Sequence, residues 1–248
     1  MGKLLAGALL IFTLQGAVPA EQYRARRTEL RKALPDAVTV LFGRTEKDSD
    51  DLRSSFFQEP NFYYLTGWRE PGAILLLTPA KEILFLPKRI PAEEKWTGRK
   101  AGPDDPNIRE DTGFDSVLPA EVFETEFRRE LDAYPRIYAL TERPTAKALA
   151  TIAPLRPVAG AAIEIAHLRM NKSPEEIALI EKATDVTLAA HRAAWKRAAA
   201  GLYEYQIAAT MTDVYFESGC ERSAYAPIVG SGPNSVLLHY SRNTRRMG

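Results

Sequence analysis

The sequence predicts an α/β fold, because short apolar runs typical of strands alternate with segments that repeat apolar residues at helical spacing. Residues 37–42 (AVTVLF) are typical of a strand, and they follow a helical pattern over residues 21–34. The runs 73–77 and 82–86 are also typical of strands, and residues 78–81 (TPAK) between them predict a hairpin. Together these observations favour helices layered on a sheet in the first part of the chain.

Weaker sequence patterns predict the remaining helices and strands of this first part of the chain. We expect a helix over residues 120–131, a strand over 137–140 and a short helix over 145–151. Residues 91–113 are rich in proline, glycine and charge, so we expect them to be mostly loop. Four arginines lie on the first helical pattern and are expected to form a solvated face, namely Arg24, Arg26, Arg27 and Arg31.

Residues 154–160 (PLRPVAG) mark a predicted boundary between two domains, since two prolines and a glycine in a short stretch disfavour regular structure. After this boundary, Ser173 is placed as the N-cap of a helix, with proline at the first helical position. Glu176 then completes a capping box. The second domain therefore begins with a strong helix start.

The helix that follows is long, with an expected end near Gly201. Its pattern places one set of residues on a single face: Ile177, Ile180, Thr184, Leu188, His191 and Trp195. A second helix is expected over residues 205–217, where Gly219 stops it, and a strand is expected over residues 225–229.

The first twenty residues have the layout of a secretory signal peptide. Lys3 supplies a positive charge, residues 4–14 are largely apolar, and residues 18–20 (VPA) are followed by the polar Glu21. The apolar stretch is short for a membrane span. We expect cleavage after Ala20 and a secreted or periplasmic protein; the alternative is an N-terminal helix that stays attached.

Composition is that of an ordinary soluble globular protein. The 248 residues carry 33 lysines and arginines against 32 acidic residues, a formal net charge of +1. Bulk electrostatics therefore give no basis for binding nucleic acid or an anionic surface. Separately, we expect no membrane span in the mature chain. The single cysteine, Cys220, excludes an intramolecular disulfide and a multi-cysteine metal site, and we interpret it as a small buried hydrophobe.

The segment from Gly230 to Tyr240 (GSGPNSVLLHY) is the best candidate for chemistry. Its glycines and proline predict a tight turn, in which Asn234 can hydrogen-bond the local backbone. The apolar run after the turn is expected to carry His239 into buried space. On pattern alone a histidine beside two leucines is most often a satisfied core residue, and the alternative is a catalytic role.

Several segments resemble one known family. Residues 229–234 (VGSGPN), followed by Leu238-His239-Tyr240, are similar to the entrance of the catalytic domain in the Xaa-Pro aminopeptidase (aminopeptidase P) family of pita-bread metallopeptidases. Residues 62–68 (FYYLTGW) resemble that family's N-terminal domain, and residues 168–177 (LRMNKSPEEI) resemble its domain junction. The order and spacing of these motifs make the resemblance strong, and it covers nearly all of the chain after Ala20.

After the signal peptide that the layout of residues 1–20 predicts, the resemblance implies a ribonuclease-H-like α/β domain over 21–159 and an incomplete α+β pita-bread domain over 160–248. The activity it implies is release of the N-terminal residue from peptides with proline in second position. The implied cofactors are two divalent metal ions, with Mn²⁺ expected, and the full-length form is expected to be a homo-oligomer.

Two residues are candidates for the site by resemblance. His239 matches a family histidine that lies beside the metal pair, so we expect it to hydrogen-bond the substrate or the tetrahedral intermediate as a catalytic residue. Trp96 resembles a tryptophan that reaches an active site, in oligomers from the neighbouring subunit. Its flat apolar ring suits proline, so we expect a role in substrate binding; the alternative is a loop aromatic packed locally.

The metal ligands of the family are two aspartates, one histidine and two glutamates, all downstream of the residue that matches His239. Here residues 241–248 (SRNTRRMG) contain no acidic residue and no histidine. We therefore expect these 248 residues to be truncated before the metal ligands, to bind no metal and to be inactive alone. Alternatives are a prolidase- or creatinase-like relative, and a non-catalytic pita-bread module that binds peptides or proteins.

No other part of the sequence predicts a self-sufficient active site. The chain has no His-Glu-x-x-His pattern and no phosphate loop of the Gly-Lys-Ser/Thr type. His167 and His191 are expected to be structural or exposed. The acidic run Asp48, Asp50 and Asp51 lacks the glycine and distal glutamate of an EF-hand, so we expect a solvated loop.

Overall fold

The computed structural model describes residues 18–48 and 56–248, which form two compact units, 18–171 and 172–248. Residues 1–17 of the predicted signal peptide lie outside the described residues. Among the described residues, no helix is both long enough and apolar enough to cross a membrane.

A six-stranded mixed sheet forms the centre of the first unit. Its strands lie in the order β4-β3-β2-β1-β5-β6. The central β1-β2-β3 strands are antiparallel, whereas β4, β5 and β6 each pair in parallel with a neighbour. The strands are β1 Ala37–Phe42, β2 Ile74–Leu77, β3 Glu82–Leu86, β4 Ser116–Pro119, β5 Arg136–Ala139 and β6 Val158–Gly160.

Within the described part of this unit, seven α-helices accompany the sheet. They are α1 Ala20–Ala33, α2 Pro60–Thr66, α3 Pro91–Thr97, α4 Ile108–Thr112, α5 Phe123–Leu131, α6 Ala146–Ile152 and α7 Ala162–Met170. One apolar cluster joins residues of α1, α2, α4 and α7 to one set of strand residues, and a second joins α5 and α6 to the other set. Because both faces of the sheet are covered, β2 and the part of β3 after Glu82 are continuous apolar runs, not alternating ones.

The second unit begins with a pair of helices, α8 Pro174–Arg197 and α9 Glu204–Glu217, which pack against each other. Its buried helical residues include Ala190 and Ala194 on α8 and Ile207 on α9, and the small alanines allow close approach of the helices. The chain after α9 is irregular apart from a 3₁₀ turn, Gly232–Val236.

Most predicted elements of the first unit are confirmed, including β1, the β2-β3 hairpin, α5, α6 and the α/β class. The expectation of loop over residues 91–113 is wrong. Both α3 and α4 lie there, and each ends at a glycine with positive φ, Gly98 and Gly113. Glycine and proline therefore bound short helices here; they do not exclude them. The ribonuclease-H-like likeness stays a prediction.

The capping box of α8 is confirmed, since Ser173 Oγ accepts from the Glu176 backbone and the Glu176 carboxylate accepts from the Ser173 backbone. The predicted strand over residues 225–229 is wrong, because that segment is irregular. The first unit extends to Asn171, beyond the predicted 154–160 boundary, since β6 pairs with β5 and α7 contacts α1.

The interpretation of the α1 arginines as a solvated face is wrong for Arg27, which is fully buried. Its guanidinium donates to both carboxylate oxygens of Glu82, at 2.9 and 3.1 Å, and to two backbone carbonyls. It also lies 3.7 Å from the centre of the Phe114 ring. Helical spacing alone could not separate this arginine from Arg24, which is exposed, or from Arg26 and Arg31, which are half-buried.

The predicted apolar face of α8 is largely exposed in the described chain. Ile180 is 54% exposed and Trp195 is 71% exposed, whereas the buried positions are the two alanines. The pattern therefore located the helix correctly but not the side that packs on α9.

Candidate functional site

The tight turn predicted at Gly230–Tyr240 is confirmed. Gly232 has φ of 51°, and a Cβ atom on Gly230 would lie 2.7 Å from the Asn234 carbonyl oxygen. Both positions therefore favour glycine, the first for its backbone conformation and the second for lack of space. The turn continues as a short 3₁₀ helix that carries Asn234.

Glu204, the first residue of α9, is the centre to which this segment is bonded, and its side chain is fully buried. Its Oε1 accepts from the Ser231 backbone N–H at 2.7 Å and from Ser231 Oγ at 2.8 Å. Asn234 Nδ2 donates to the same oxygen at 3.2 Å. The Asn234 side chain thus bonds this distant carboxylate, not the local backbone as expected.

The second carboxylate oxygen holds the other side of the segment. Glu204 Oε2 accepts from Tyr240 Oη at 2.7 Å and from the Arg245 backbone N–H at 2.9 Å. The Glu204 backbone N–H also donates to the Arg245 carbonyl at 3.0 Å. One buried side chain therefore connects α9 to residues before and after His239.

These contacts decide the protonation of Glu204. Burial raises the pKa of its carboxyl group, but hydrogen bonds from Tyr240, the Arg245 backbone and Ser231 outweigh burial and hold the pKa at about 2. The donors are uncharged, so the carboxylate is stabilised by hydrogen bonds to its charged form. The group is therefore ionised at any physiological pH.

His239 is exposed, and the expectation of burial is wrong. The apolar residues before it are exposed as well, with Leu238 at 92%. His239 also has φ of 57°, a left-handed conformation that is uncommon for a residue other than glycine. The imidazole is thus presented on the surface of the second unit by a backbone that is anchored on both sides.

Asn243 fixes the chain that follows. It is buried and has φ of 51°, a conformation that asparagine tolerates better than most residues. Its Oδ1 accepts from the Val229 backbone N–H at 2.9 Å, and its Nδ2 donates to the Pro227 carbonyl at 2.8 Å. Met247 then exchanges backbone hydrogen bonds with Gly201 and Leu202.

Trp96, the other predicted site residue, lies in the first unit on α3 and is 81% exposed. It is not packed locally, apart from the Lys95 ammonium 5.1 Å from the ring centre. Helix α3 borders a cleft of about 410 Å³ that is lined by Trp68 and Glu70, and Arg89 pairs with Glu94 along it at 2.6 Å. Burial raises the pKa of Glu70.

The remaining candidates carry no site. His167 and His191 are exposed, as expected, and the His191 ring lies 6.1 Å from that of Trp195. Cys220 is half-buried and has a free thiol. Asp48 accepts hydrogen bonds from Thr45, whereas Asp50 and Asp51 lie outside the described residues.

The described residues do not supply a metal centre. Across 18–48 and 56–248, no three side chains of histidine, cysteine, aspartate or glutamate converge in a way that could hold a metal ion. The donor set that two hard divalent ions require is therefore not among them, and no catalytic step can be assigned to a metal on these residues.

Comparison with known proteins gives the family. Residues 23–138 match the family described as aminopeptidase P, N-terminal domain, and residues 178–248 match metallopeptidase family M24. The chain belongs to the aminopeptidase P family. Its described parts are the α/β N-terminal domain of that family and the start of the pita-bread domain.

Individual relatives agree with this placement. The Xaa-Pro aminopeptidase of Haemophilus influenzae is 30% identical and covers 92% of this chain, and that of Escherichia coli is 28% identical and covers 93%. Solved structures of E. coli aminopeptidase P, one with the inhibitor Pro-Leu and one Zn-substituted with product, match with TM-scores of 0.84 at 25% identity over 93% of this chain. The chain spans 55–57% of the length of these relatives.

Sequence reasoning missed Glu204 completely. A glutamate at the start of a helix is common, and its role depends on donors that lie 27 to 41 residues further along the chain. The available signal was indirect: Ser231, Asn234 and Tyr240 place three side-chain donors around one glycine-rich turn, and a turn of that kind needs an acceptor.

Proposed function

We propose that the protein to which this chain belongs is an Xaa-Pro aminopeptidase, which hydrolyses the first peptide bond of peptides with proline in second position. The observation that carries this proposal is the order of the two matched families along one chain. Relatives that carry the name Xaa-Pro aminopeptidase match over more than nine tenths of the chain, which supports the same activity.

In this proposal His239 contacts the substrate. Its exposed imidazole can donate one hydrogen bond and accept another, so it can bond a peptide carbonyl or the oxygen of a tetrahedral intermediate. The anchored backbone on both sides supports this role, because a donor that stabilises a reacting oxygen must be held in place before the reaction.

Trp96 is proposed to contact the proline ring. A broad apolar surface held in solvent on a helix is suited to stacking on a rigid apolar ring. Following the resemblance, Trp96 would serve the site of a neighbouring subunit, so the proposal includes a homo-oligomer as the active form.

The proposed cofactor is a pair of divalent metal ions, with Mn²⁺ as the expected ion. The name metallopeptidase of the matched family and a Zn-substituted relative support divalent metal, although they do not distinguish the ion. The metals would activate water and polarise the scissile carbonyl. Since the described side chains do not form a metal-binding cluster, none of them is assigned as a metal ligand.

We also propose export from the cytoplasm, with cleavage after Ala20. The support is the sequence of the first twenty residues, in which a charged start, an apolar run and small residues occur in the order of a signal peptide. N-terminal sequencing of the protein from its native host is expected to begin at Glu21, and a retained Met1 would contradict export by this route.

The activity is tested with protein expressed from the complete coding sequence, in Mn²⁺ and separately in Zn²⁺. We expect release of the first residue from an Ala-Pro-Ala-Phe peptide, detected by mass spectrometry, and none from the matched Ala-Ala-Ala-Phe peptide or after chelation. The 248-residue chain assayed alongside is expected to be inactive, because its described side chains form no cluster that could hold a metal ion.

Other outcomes separate the alternatives. Cleavage restricted to an Ala-Pro dipeptide would favour a prolidase-like enzyme and contradict the proposal. Binding of the proline peptide without cleavage in either metal would favour a peptide-binding module. Equal cleavage of both tetrapeptides would contradict the specificity for proline.

A further inference from the structure

The segment that carries His239 is bonded to α9 almost entirely through one carboxylate. Glu204 accepts five hydrogen bonds at 2.7 to 3.2 Å, and all five donors belong to residues between Ser231 and Arg245. Ser231 and Asn234 precede His239 in the chain, whereas Tyr240 and Arg245 follow it. Both approaches to the histidine are therefore fixed to the same buried point.

Glu204 is not occupied with its own helix. The N-terminus of α9 is closed by Gln206, whose side-chain oxygen accepts from the Tyr203 backbone N–H at 2.9 Å. The Glu204 carboxylate does not cap the helix, and both of its oxygens accept hydrogen bonds from the segment 231–245. All five hydrogen bonds that this carboxylate accepts come from the neighbouring segment, so we assign it to ordering that segment and not to capping the helix.

The conformation of His239 needs such support. A residue other than glycine at φ of 57° is held there only when the surrounding structure determines it. The nearest support is Tyr240, whose hydroxyl donates to Glu204 at 2.7 Å and accepts from the Thr244 backbone at 3.3 Å. Loss of the carboxylate would remove the hydrogen bond that holds Tyr240, and with it the support for the left-handed conformation of His239.

We propose that Glu204 is a positioning residue for the proposed aminopeptidase reaction: its carboxylate, acting through Tyr240 and the Ser231 turn, sets the backbone on which the His239 imidazole is presented to the substrate. This inference rests on the proposed function for its catalytic consequence. The ordering of the segment can be measured independently.

The principal variant is Glu204→Gln. The side chain keeps its size, but one acceptor oxygen becomes an amide NH₂ that faces N–H and O–H donors, so hydrogen bonds are lost on one side of the carboxylate. The matched control is Glu217→Gln, which makes the same charge change at an exposed position at the other end of α9.

The first measurement uses the 248-residue chain and NMR. In Glu204→Gln we expect amide exchange at Ser231 or Arg245 to accelerate about tenfold or more, and the backbone order parameter at His239 to fall from about 0.85 toward 0.6. Unchanged exchange at β1 and β2 amides would show that the first unit remains folded. Glu217→Gln should change none of these values.

Tyr240→Phe keeps the proposal testable if Glu204→Gln fails to fold. It removes one donor and leaves the charged carboxylate bonded to the other four. We expect the order parameter at His239 to fall while Ser231 exchange stays near the wild-type rate. A rigid His239 in every one of these two variants that folds would overturn the proposal.

The catalytic consequence is tested in the complete enzyme. We expect Glu204→Gln to lower kcat by about tenfold to a hundredfold with KM within about twofold, and to have no further effect in a His239→Ala background. Equal losses in both backgrounds would indicate a merely structural role and overturn the proposal. Absence of Xaa-Pro cleavage by the wild-type enzyme would instead contradict the proposed function, while the NMR arm still decides whether Glu204 positions the segment.

Discussion

Glu82 and Glu204, two of the buried glutamates, lie in different units and are stabilised in different ways. Glu82 on β3 is paired with the buried guanidinium of Arg27, and Arg24 lies 3.7 Å away. Glu204 on α9 accepts only from uncharged donors, two backbone N–H groups, two hydroxyls and an amide. The first carboxylate is balanced by an opposite charge, whereas the second is solvated by hydrogen bonds alone.

The difference separates a scaffold contact from a site contact. The Arg27–Glu82 pair joins α1 to β3 inside a packed α/β unit, where loss of one partner leaves an uncompensated charge in the core. The Glu204 contacts hold an irregular segment with exposed neighbours, so their loss would be felt locally. We therefore expect mutations at the first site to unfold the unit and mutations at the second to loosen one segment.

The largest effect is expected from Arg27→Met. It leaves Glu82 buried without its main partner, and the free energy of unfolding of the first unit should fall by about 3–5 kcal/mol, measured by urea denaturation. The double variant Arg27→Met/Glu82→Leu should recover most of the loss, because it removes both charges. Arg128→Met is the control, since its exposed pair with Glu124 on α5 should contribute less than about 1 kcal/mol.

Two results would contradict this difference between Glu82 and Glu204. One is a fall of less than about 1 kcal/mol in the free energy of unfolding of Arg27→Met, and the other is a double variant no more stable than Arg27→Met.

A smaller effect is expected at Asn243, which is buried and neutral. Asn243→Ala loses the hydrogen bonds to Val229 and Pro227 and should cost about 1–3 kcal/mol of local stability. Asn243→Gly loses the same bonds but suits the φ of 51°, so it should cost about 1 kcal/mol less than alanine. Amide exchange at Val229 measures both, and equal exchange rates in the two variants would show that backbone conformation contributes nothing.

Local patterns predicted the parts of the fold that are determined locally. The AVTVLF strand, the hairpin around Pro79 and the Ser173 cap each depend on residues close in sequence, and each is confirmed. Strands β4 and β6 were missed because they have only four and three residues and include proline or glycine. Pairing with an existing strand stabilises them, and a single sequence does not reveal that partner.

The candidate site was predicted only in part, for the same reason. The glycine-rich turn was predicted from its own residues, whereas the exposure of His239 depends on which surfaces pack against the segment. Arg27 and Glu204 were missed because nothing in helical spacing tells a buried charged residue from a solvated one; both depend on partners far along the chain.

A titration of the Glu204 carboxyl group tests most directly whether this side chain orders the His239 segment. The folded pKa lies below the unfolded value of 4.5, so the carboxylate stabilises the folded segment above pH 4.5, and that contribution is lost as the pH falls through about 2. Carbon-13 NMR should therefore show a midpoint near 2, with the Ser231 and Arg245 amide signals moving together with the carboxyl signal. A midpoint near 4.5, with those amide signals unmoved, would contradict the role given to Glu204.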